Sequence, residues 1–481
     1  MMAPSALVTA VFSRIHDVVV WIALIGAASY LTLAAIGGLN AWSPAPFWDM
    51  WEGYLDFYRR IEAGDFSAWF AQHNEHRIFL ARLLFWTDIA WFGGAGVFLL
   101  FLNYAFAAFS AFLLLLCLRA EIGKTLRREF ALMAAAIVGL SYSWIQHENF
   151  TWAFQSQFFL AHNLPLLAFL LLTRSWATGA GQAYFAGALV AGAAAAATMA
   201  NGVLTLPMMA LLSLAGGAPK WRTGLIAVVA GAVLLLYFRD YQSPVHHVSF
   251  FASIAREPLE VLQFALAYLG APAGWIMRTG SLEAALAGGA VFLGLVAWSI
   301  VRDAKARQKA PHRLALYAFI FYIAATAAAT AAARYNFGQE AAIASRYTTP
   351  SLMAWIAVLI LFARPIMAHF PSRPILAAAV PIGLLLLFGP NQVTALDPQI
   401  EIKFEKRLAA LAVELGAHDA AQISALYPLT ARTLEIGQWA SARDVSIFAA
   451  PDIRDARERI GGPLGERPAR DCTGALERFE S

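Results

Sequence analysis

The sequence predicts an all-α integral membrane protein. Two observations carry that prediction: 60% of the 481 residues are hydrophobic against 14% charged, and the apolar residues are gathered into runs long enough to cross a bilayer. Mean hydropathy is +0.59, more apolar character than a soluble core can use, so a soluble globular class is excluded. The net charge of +4 is small, and the clustered Lys and Arg fall in short stretches between apolar runs. They therefore orient the chain in a bilayer, and no basic patch for nucleic acid is visible. Only Cys117 and Cys472 occur, one inside an apolar run and one near the C-terminus, which leaves no thiol metal site and no expected intrachain disulfide.

The first element is a charge-free run over 18–36, read as an uncleaved first membrane helix. With it, apolar spans at about 18–39, 93–118, 130–145, 157–173, 183–200, 202–216, 223–238, 283–301, 314–333, 347–363 and 374–389 give about eleven crossings. Asn201, Gly202 and Pro207 break the fifth and sixth spans, so two short crossings compete there with one re-entrant element. Residues 258–277 read as a helix lying on or dipping into the membrane. Alanine-rich runs at 192–198 and 325–333 let helices approach closely.

Alternating loops carry Arg119, Lys124, Arg127 and Arg128, then Lys220 and Arg222, then Arg302, Lys305, Arg307, Lys309 and Arg313, then Arg364 and Arg373. By the positive-inside rule these face the cytoplasm, which places the tail after Gly389 outside. Residues 1–389 form the polytopic domain, with a first outer loop over 40–92. Residues 390–481 form a small extracytoplasmic helical region, including the amphipathic stretch FEKRLAALAVELGA and a loose end in which Cys472 sits.

The unusual polar chemistry collects on the predicted outer face. In the first outer loop, FWDMWEGYLDFYRRIEAGDFSAWFAQHNEHR crowds acids, histidines and aromatics directly behind the first span. Trp51, Tyr54, Leu55 and Tyr58 recur at helical spacing, which predicts an amphipathic interfacial helix ended by Gly64. Asp65 or Ser67 would then cap a second helix running through Trp69 to Trp91. Asp49 and Glu52 lie three apart and share a face if the first helix starts at Trp48, which suits general-base work or metal binding. The plainer alternative makes Asp49 an N-terminal cap and Glu52 a solvated first-turn acid.

His73, Glu75, His76 and Arg77 follow within one turn. Their use could be hydrogen bonding to hydroxyls and phosphate oxygens around a fixed cation, zinc binding with His147 or Glu148 as a third ligand, or a polar helix end. Gln146, His147, Glu148 and Asn149 repeat that chemistry beside Phe150, Trp152 and Phe154, as a sugar site or an interfacial aromatic belt. His246 and His247 read as solvated loop residues, with contact to substrate as the alternative. Arg346, between Ser345 and Tyr347 at the mouth of a late span, can pair with phosphate bidentately or serve as a snorkelling anchor.

Together these features resemble the GT-C superfamily of integral-membrane glycosyltransferases over about residues 10–390. In that superfamily the first outer loop carries two interfacial helices and a catalytic acid close after the first span, the position that Asp49 occupies in FWDMWE. Glu52 departs from the adjacent or acid-x-acid pairs of several members. The Ser345-Arg346-Tyr347 run looks like the late-loop arginine that some members place near a lipid phosphate. The resemblance implies a polyprenyl-phosphate-linked sugar as donor and a glycan, lipid or protein as acceptor. It also implies a multi-pass location in the inner (plasma) membrane with an extracytoplasmic active face. Asp49 would be the base, and Arg346, Arg77 and the histidines would hold the leaving phosphate. No cofactor is required, although a divalent metal could be held by Asp49 with Glu52 or Glu148. A transporter or flippase of lipid-linked sugars is the rival from another class, disfavoured because the mid-span residues are apolar, and a glycan polymerase or ligase is the rival enzyme.

Overall fold

The computed structural model describes residues 4–176, 181–243, 250–278, 280–307 and 310–456; His246, His247, Lys309 and Cys472 lie outside the described residues. The chain divides into two compact units. The first comprises Met1–Trp42, Gly64–Trp86 and Val97–Gln399, and the second Ser43–Ala63, Thr87–Gly96 and Ile400–Ser481.

The long helices of the first unit are α1 (Pro4–Ala41), α2 (Val97–Ile122), α3 (Arg127–Ser141), α4 (Ser156–Arg174), α5 (Gly181–Ala195), α6 (Thr205–Ala215), α7 (Lys220–Phe238), α8 (Pro258–Gly274), α9 (Leu282–Lys305), α10 (Pro311–Arg334), α11 (Ser345–Leu361) and α12 (Pro374–Val393). Every apolar span expected from the sequence is helical. Eight helical stretches among the described residues are long and apolar enough to cross a membrane, starting at Arg14, Val97, Arg127, Ala153, Lys220, Leu282, Pro311 and Pro374. The other three expected spans form α5, α6 and α11, of 15, 11 and 17 residues. At about 1.5 Å per residue, α6 reaches roughly 16 Å, about half the hydrocarbon core of a bilayer. The break at Asn201 and Gly202 explains the shortness: Gly202 packs so tightly on the Ala195 carbonyl that a side chain there has no room.

Large apolar side chains face outward along these helices, among them Leu235 at 78% exposure and Phe101 at 68%. Such residues are stable only against lipid. Between helices the contacts are made by small residues. Gly270 of α8 lies against the backbone of Ala285 and Gly289 on α9, and Gly289 against that of Leu266. Ala327, Ala331 and Ala332 of α10 are fully buried, so the alanine-rich run does serve packing. Both ends of α8 are tied to the connection between α10 and α11: Gln339 Nε2 donates to the Glu260 carbonyl (3.1 Å) and Trp275 Nε1 to the Ile343 carbonyl (3.0 Å).

Where α2 and α9 end and α10 begins, a buried ionic network replaces apolar packing. Arg313 donates to Glu121 Oε1 (2.7 Å) and to both oxygens of Asp303 (2.7 and 3.0 Å), while His312 and Tyr317 bond to the same two carboxylates at 2.8 and 2.7 Å. Arg313 also reaches the Leu361 carbonyl at the end of α11 (3.3 Å), so one guanidinium ties four helices. It sits about 30 Å along α10 from Arg334.

In the second unit, Trp51–Asp56 is a π-helical turn that passes into a short α-helix, Phe57–Glu62. The C-terminal stretch supplies α13 (Ile400–Glu414) and α14 (Thr430–Ser441). It packs with 43–63 and 87–96 through Trp48 N–H to the Leu426 carbonyl (2.8 Å), Ser446 N–H to the Gly93 carbonyl (2.8 Å) and an Arg432–Asp56 pair at 2.7 Å. At the centre, Asp88 is fully buried and accepts from Tyr54 OH (2.5 Å) and Gly96 N–H (3.2 Å). Burial pushes its carboxyl up to about 6, against the downward pull of those two hydrogen bonds. A raised value means that Asp88 favours the fold fully below the unfolded value of about 3.9 and that this contribution is lost as pH rises through about 6. Acidification from about pH 7 to about pH 5 should therefore raise the melting temperature of the wild type more than that of Asp88→Asn. Equal shifts in the two proteins would assign the pH dependence to other groups.

Candidate functional site

The site is built around a tight turn. Asp65 Oδ1 accepts from Ser67 N–H (3.1 Å) and caps a single 3-10 turn, Phe66–Trp69. His73 and His76 then exchange backbone hydrogen bonds at 2.8 and 2.9 Å around Asn74, which takes a left-handed conformation (φ +49°) that asparagine tolerates. This reverse turn interrupts the helix expected from Trp69 through Trp91, which begins instead at Phe79. It leaves Glu75 at the tip, aimed back into the first unit.

Glu75 meets Arg334 there. Arg334 NH2 lies 2.5 Å from Glu75 Oε1, and its NH1 donates to Tyr347 OH at 2.9 Å. Burial alone would push the Glu75 carboxyl up; His76 and the Arg334 guanidinium outweigh it and hold it down at about 2. These side chains line a cavity of about 550 Å³, together with His162, Asn201 and Tyr268. The cavity thus offers a fixed cation, hydroxyls and aromatic faces at the ends of membrane-length helices. Neither Arg334 nor His162 stood out among the sequence candidates. The signal available was a cation closing an alanine-rich apolar span, and a lone histidine inside another.

His76 is locked by its neighbours. Its Nδ1 accepts from Ala200 N–H (3.0 Å), which leaves the Nε2 proton directed at Glu75 Oε1, 3.4 Å away. Arg77 spends its donors on backbone carbonyls, those of Tyr237 and Phe70 at 2.7 Å and Arg239 at 2.5 Å. It clamps the turn onto the end of α7. His73 packs edge-on against Phe154, with ring centroids 5.4 Å apart.

A second cluster joins 147–149 to the start of α11. Glu148 Oε2 accepts the Arg346 N–H (2.8 Å), and its Oε1 lies 3.3 Å from the Arg346 guanidinium. Ser345 Oγ meets both His147 Nδ1 and Glu148 N–H at 3.1 Å, and Asn149 Nδ2 donates to the Arg346 carbonyl (3.0 Å) and Thr349 (2.6 Å). Arg346 also lies over the Tyr347 ring at 5.2 Å. The bonds through Glu148 make this a structural splice, with Tyr347 touching both clusters.

Asp49 and Glu52 belong to the second unit. The Asp49 carbonyl accepts Gly53 N–H (2.7 Å) as the chain enters the π-helical turn, and Glu52 Oε1 stands 3.9 Å from Arg432 Nε. Burial first, then the charge of Glu52 and the hydrogen bond its carboxylate accepts from the phenol, and then the charge of Asp49, push the Tyr427 hydroxyl up. Among the described residues, no group of three or more His, Cys, Asp or Glu side chains is placed to hold a metal ion.

No family model matches this chain, and no curated protein matches it. Among solved structures, the Archaeoglobus fulgidus oligosaccharyltransferase crystallised with Zn and sulfate matches with a TM-score of 0.48 at 14% identity. The match covers 85% of this chain and 57% of that one, so this chain spans a little over half the length of that protein.

Proposed function

We propose that this chain is a membrane glycosyltransferase that takes a sugar from a polyprenyl-phosphate donor and passes it to a glycan, lipid or protein acceptor on the extracytoplasmic side of the plasma membrane. The observation that carries the reading is the Glu75–Arg334–Tyr347 group lining a cavity at the ends of membrane-length helices. A guanidinium pinned by a carboxylate and a phenol is pre-organised to receive a lipid phosphate as it departs. Phosphate is a good leaving group, so cation placement matters more than a strong general acid.

Glu75 is unsuited to be the base, because a carboxyl held at about 2 has little appetite for a proton at neutral pH. Its part is to fix Arg334. The proton of the acceptor hydroxyl is assigned to Asp49, the acid closest behind the first span in the sequence. Arg346, already joined to Glu148, keeps the start of α11 and hence Tyr347 in place.

Transfer of a radiolabelled monosaccharide from polyprenyl phosphate in proteoliposomes tests the reading. Asp49→Asn should retain the fold and lose transfer by at least about a hundredfold, since the amide keeps the shape and cannot accept a proton. Normal turnover in a folded Asp49→Asn protein would move the base to Glu52. Failure of every lipid-linked sugar to be transferred would sink the function itself.

A further inference from the structure

We propose that a groove between α9, α11 and α12 holds one acyl chain of an anionic phospholipid, whose phosphate sits on Arg302 at the end of the bundle remote from Arg334. The proposal goes beyond the transfer reaction and does not rest on it.

The groove is a second cavity, of about 420 Å³, lined by apolar and aromatic side chains alone. Leu352 and Val358 of α11 are buried at its floor, while Trp298 of α9 and Val380 of α12 stand on its open side at 62% and 41% exposure. Trp355 is the other indole in the lining, and its Nε1 donates to the Leu269 carbonyl at 3.0 Å, so its polar atom is already satisfied. A slot of this kind, opening sideways on membrane-length helices, meets hydrocarbon and not water. From Leu352 to Phe362 the lining of α11 runs roughly 15 Å, which is half of a bilayer core of about 30 Å and therefore the depth of one leaflet.

One end of the slot carries a fixed cation. Leu295 and Trp298 line it, and Arg302 and Lys305 continue the same stripe along α9 at helical spacing. Trp298 packs on Phe362 with ring centroids 5.4 Å apart, and the Arg302 guanidinium lies over the Phe362 ring at 4.9 Å. Arg302 is held there by its Nε, which donates to Asp303 Oδ1 (3.0 Å), and by its NH2, which donates to the Leu361 carbonyl (3.0 Å). Its NH1 is accessible and makes no hydrogen bond among the described residues, on a side chain that is 30% exposed. Asp303 does not neutralise it alone, because both oxygens of that carboxylate also accept from Arg313.

The charge around this rim selects the headgroup. Segments 302–313 and 362–373 carry seven Lys and Arg in the sequence against one acid, Asp303. A spare guanidinium donor, an aromatic rim and an apolar slot of one leaflet's depth together fit a phosphate bearing a long chain. A zwitterionic lipid would bring its own ammonium group into this excess of cations and lose part of the attraction. The Leu361 carbonyl accepts from Arg302 and from Arg313 alike, and Arg313 lies at the far end of α10 from Arg334. A lipid anchored on Arg302 thus belongs to the leaflet opposite the Arg334 cavity.

Photocrosslinking of the full chain in phosphatidylcholine nanodiscs tests this. The probes are phosphatidylglycerol and phosphatidylcholine with the same diazirine-bearing acyl chain, and labelled peptides are located by mass spectrometry. In the wild type, the phosphatidylglycerol probe should label peptides over 295–302 and 352–366 about fivefold to tenfold more than the phosphatidylcholine probe does. Arg302→Gln should bring the two probes level. Val380→Trp fills the slot from an exposed position and leaves Arg302 in place, so it should remove labelling of those peptides by both probes; it also carries the test if Arg302→Gln does not fold. Equal labelling by the two probes in the wild type, or labelling unchanged in Val380→Trp, would overturn the proposal. Displacement of the label by polyprenyl phosphate but not by unlabelled phosphatidylglycerol would overturn it as well and assign the slot to the chain of a polyprenyl lipid.

Discussion

Arg334→Ala should cut the use of a lipid-linked donor by roughly tenfold to a hundredfold and destabilise the protein as well. The guanidinium makes a charge-assisted contact to the phosphate in a partly dry site, a contact of about 1.5–3 kcal/mol, or roughly tenfold to a hundredfold in kcat/KM. Its loss also strands Glu75, whose carboxyl is held at about 2 by His76 and Arg334. Removing one member of such a pair typically destabilises by about 3–5 kcal/mol. A neutral double variant, Glu75→Gln with Arg334→Gln, separates the two effects: it should recover thermal stability without recovering transfer. Arg334→Lys keeps the charge and loses the planar fork, so it should fall between the wild type and Arg334→Ala. The depressed Glu75 value means that its stabilising contribution is present above about pH 4.5 and is lost as pH falls towards about 2, so the pair is intact throughout the neutral range. Full donor kinetics in the folded double variant would remove Arg334 from the phosphate site and return Arg346 to candidacy.

The second large effect is on stability. Arg313→Ala should cost about 3–5 kcal/mol, because it leaves Glu121 and Asp303 with an unbalanced buried charge where α2, α9, α10 and α11 meet. The expected observation is loss of folded protein in detergent, measured by thermal melting with size-exclusion monodispersity. An apolar replacement of the whole cluster, Arg313→Met with Glu121→Leu and Asp303→Leu, should restore much of that stability, since well-packed hydrophobic residues often match a buried ionic network. Survival of Arg313→Ala with an unchanged melting temperature would show that the network is solvated. Donor binding should be little altered in any variant that folds, because Arg313 lies at the opposite end of α10 from Arg334.

The long apolar runs announced themselves because burial in lipid needs only length and composition, and both are local properties. The caps and breaks were partly legible for the same reason: Asp65 does cap a turn, and Asn201 with Gly202 does interrupt the helices. The His73–His76 reverse turn was not, since its backbone pairing competes with a helical pattern that the flanking aromatics also satisfy.

By itself the sequence determined that this protein lives in a membrane, where its helices run, and that its acids, histidines and arginines gather near the ends of those helices. Only the tertiary structure decided which of them meet. Glu75 and Arg334 are 259 residues apart, and Glu148 and Arg346 198 apart, so neither pairing leaves a trace in local spacing. Both arginines stand at the ends of apolar spans in the sequence and look equivalent there. Helix packing gives one a carboxylate inside a cavity and the other a carboxylate that splices two segments, because a buried charge must find its counter-ion wherever the packed helices bring one within reach.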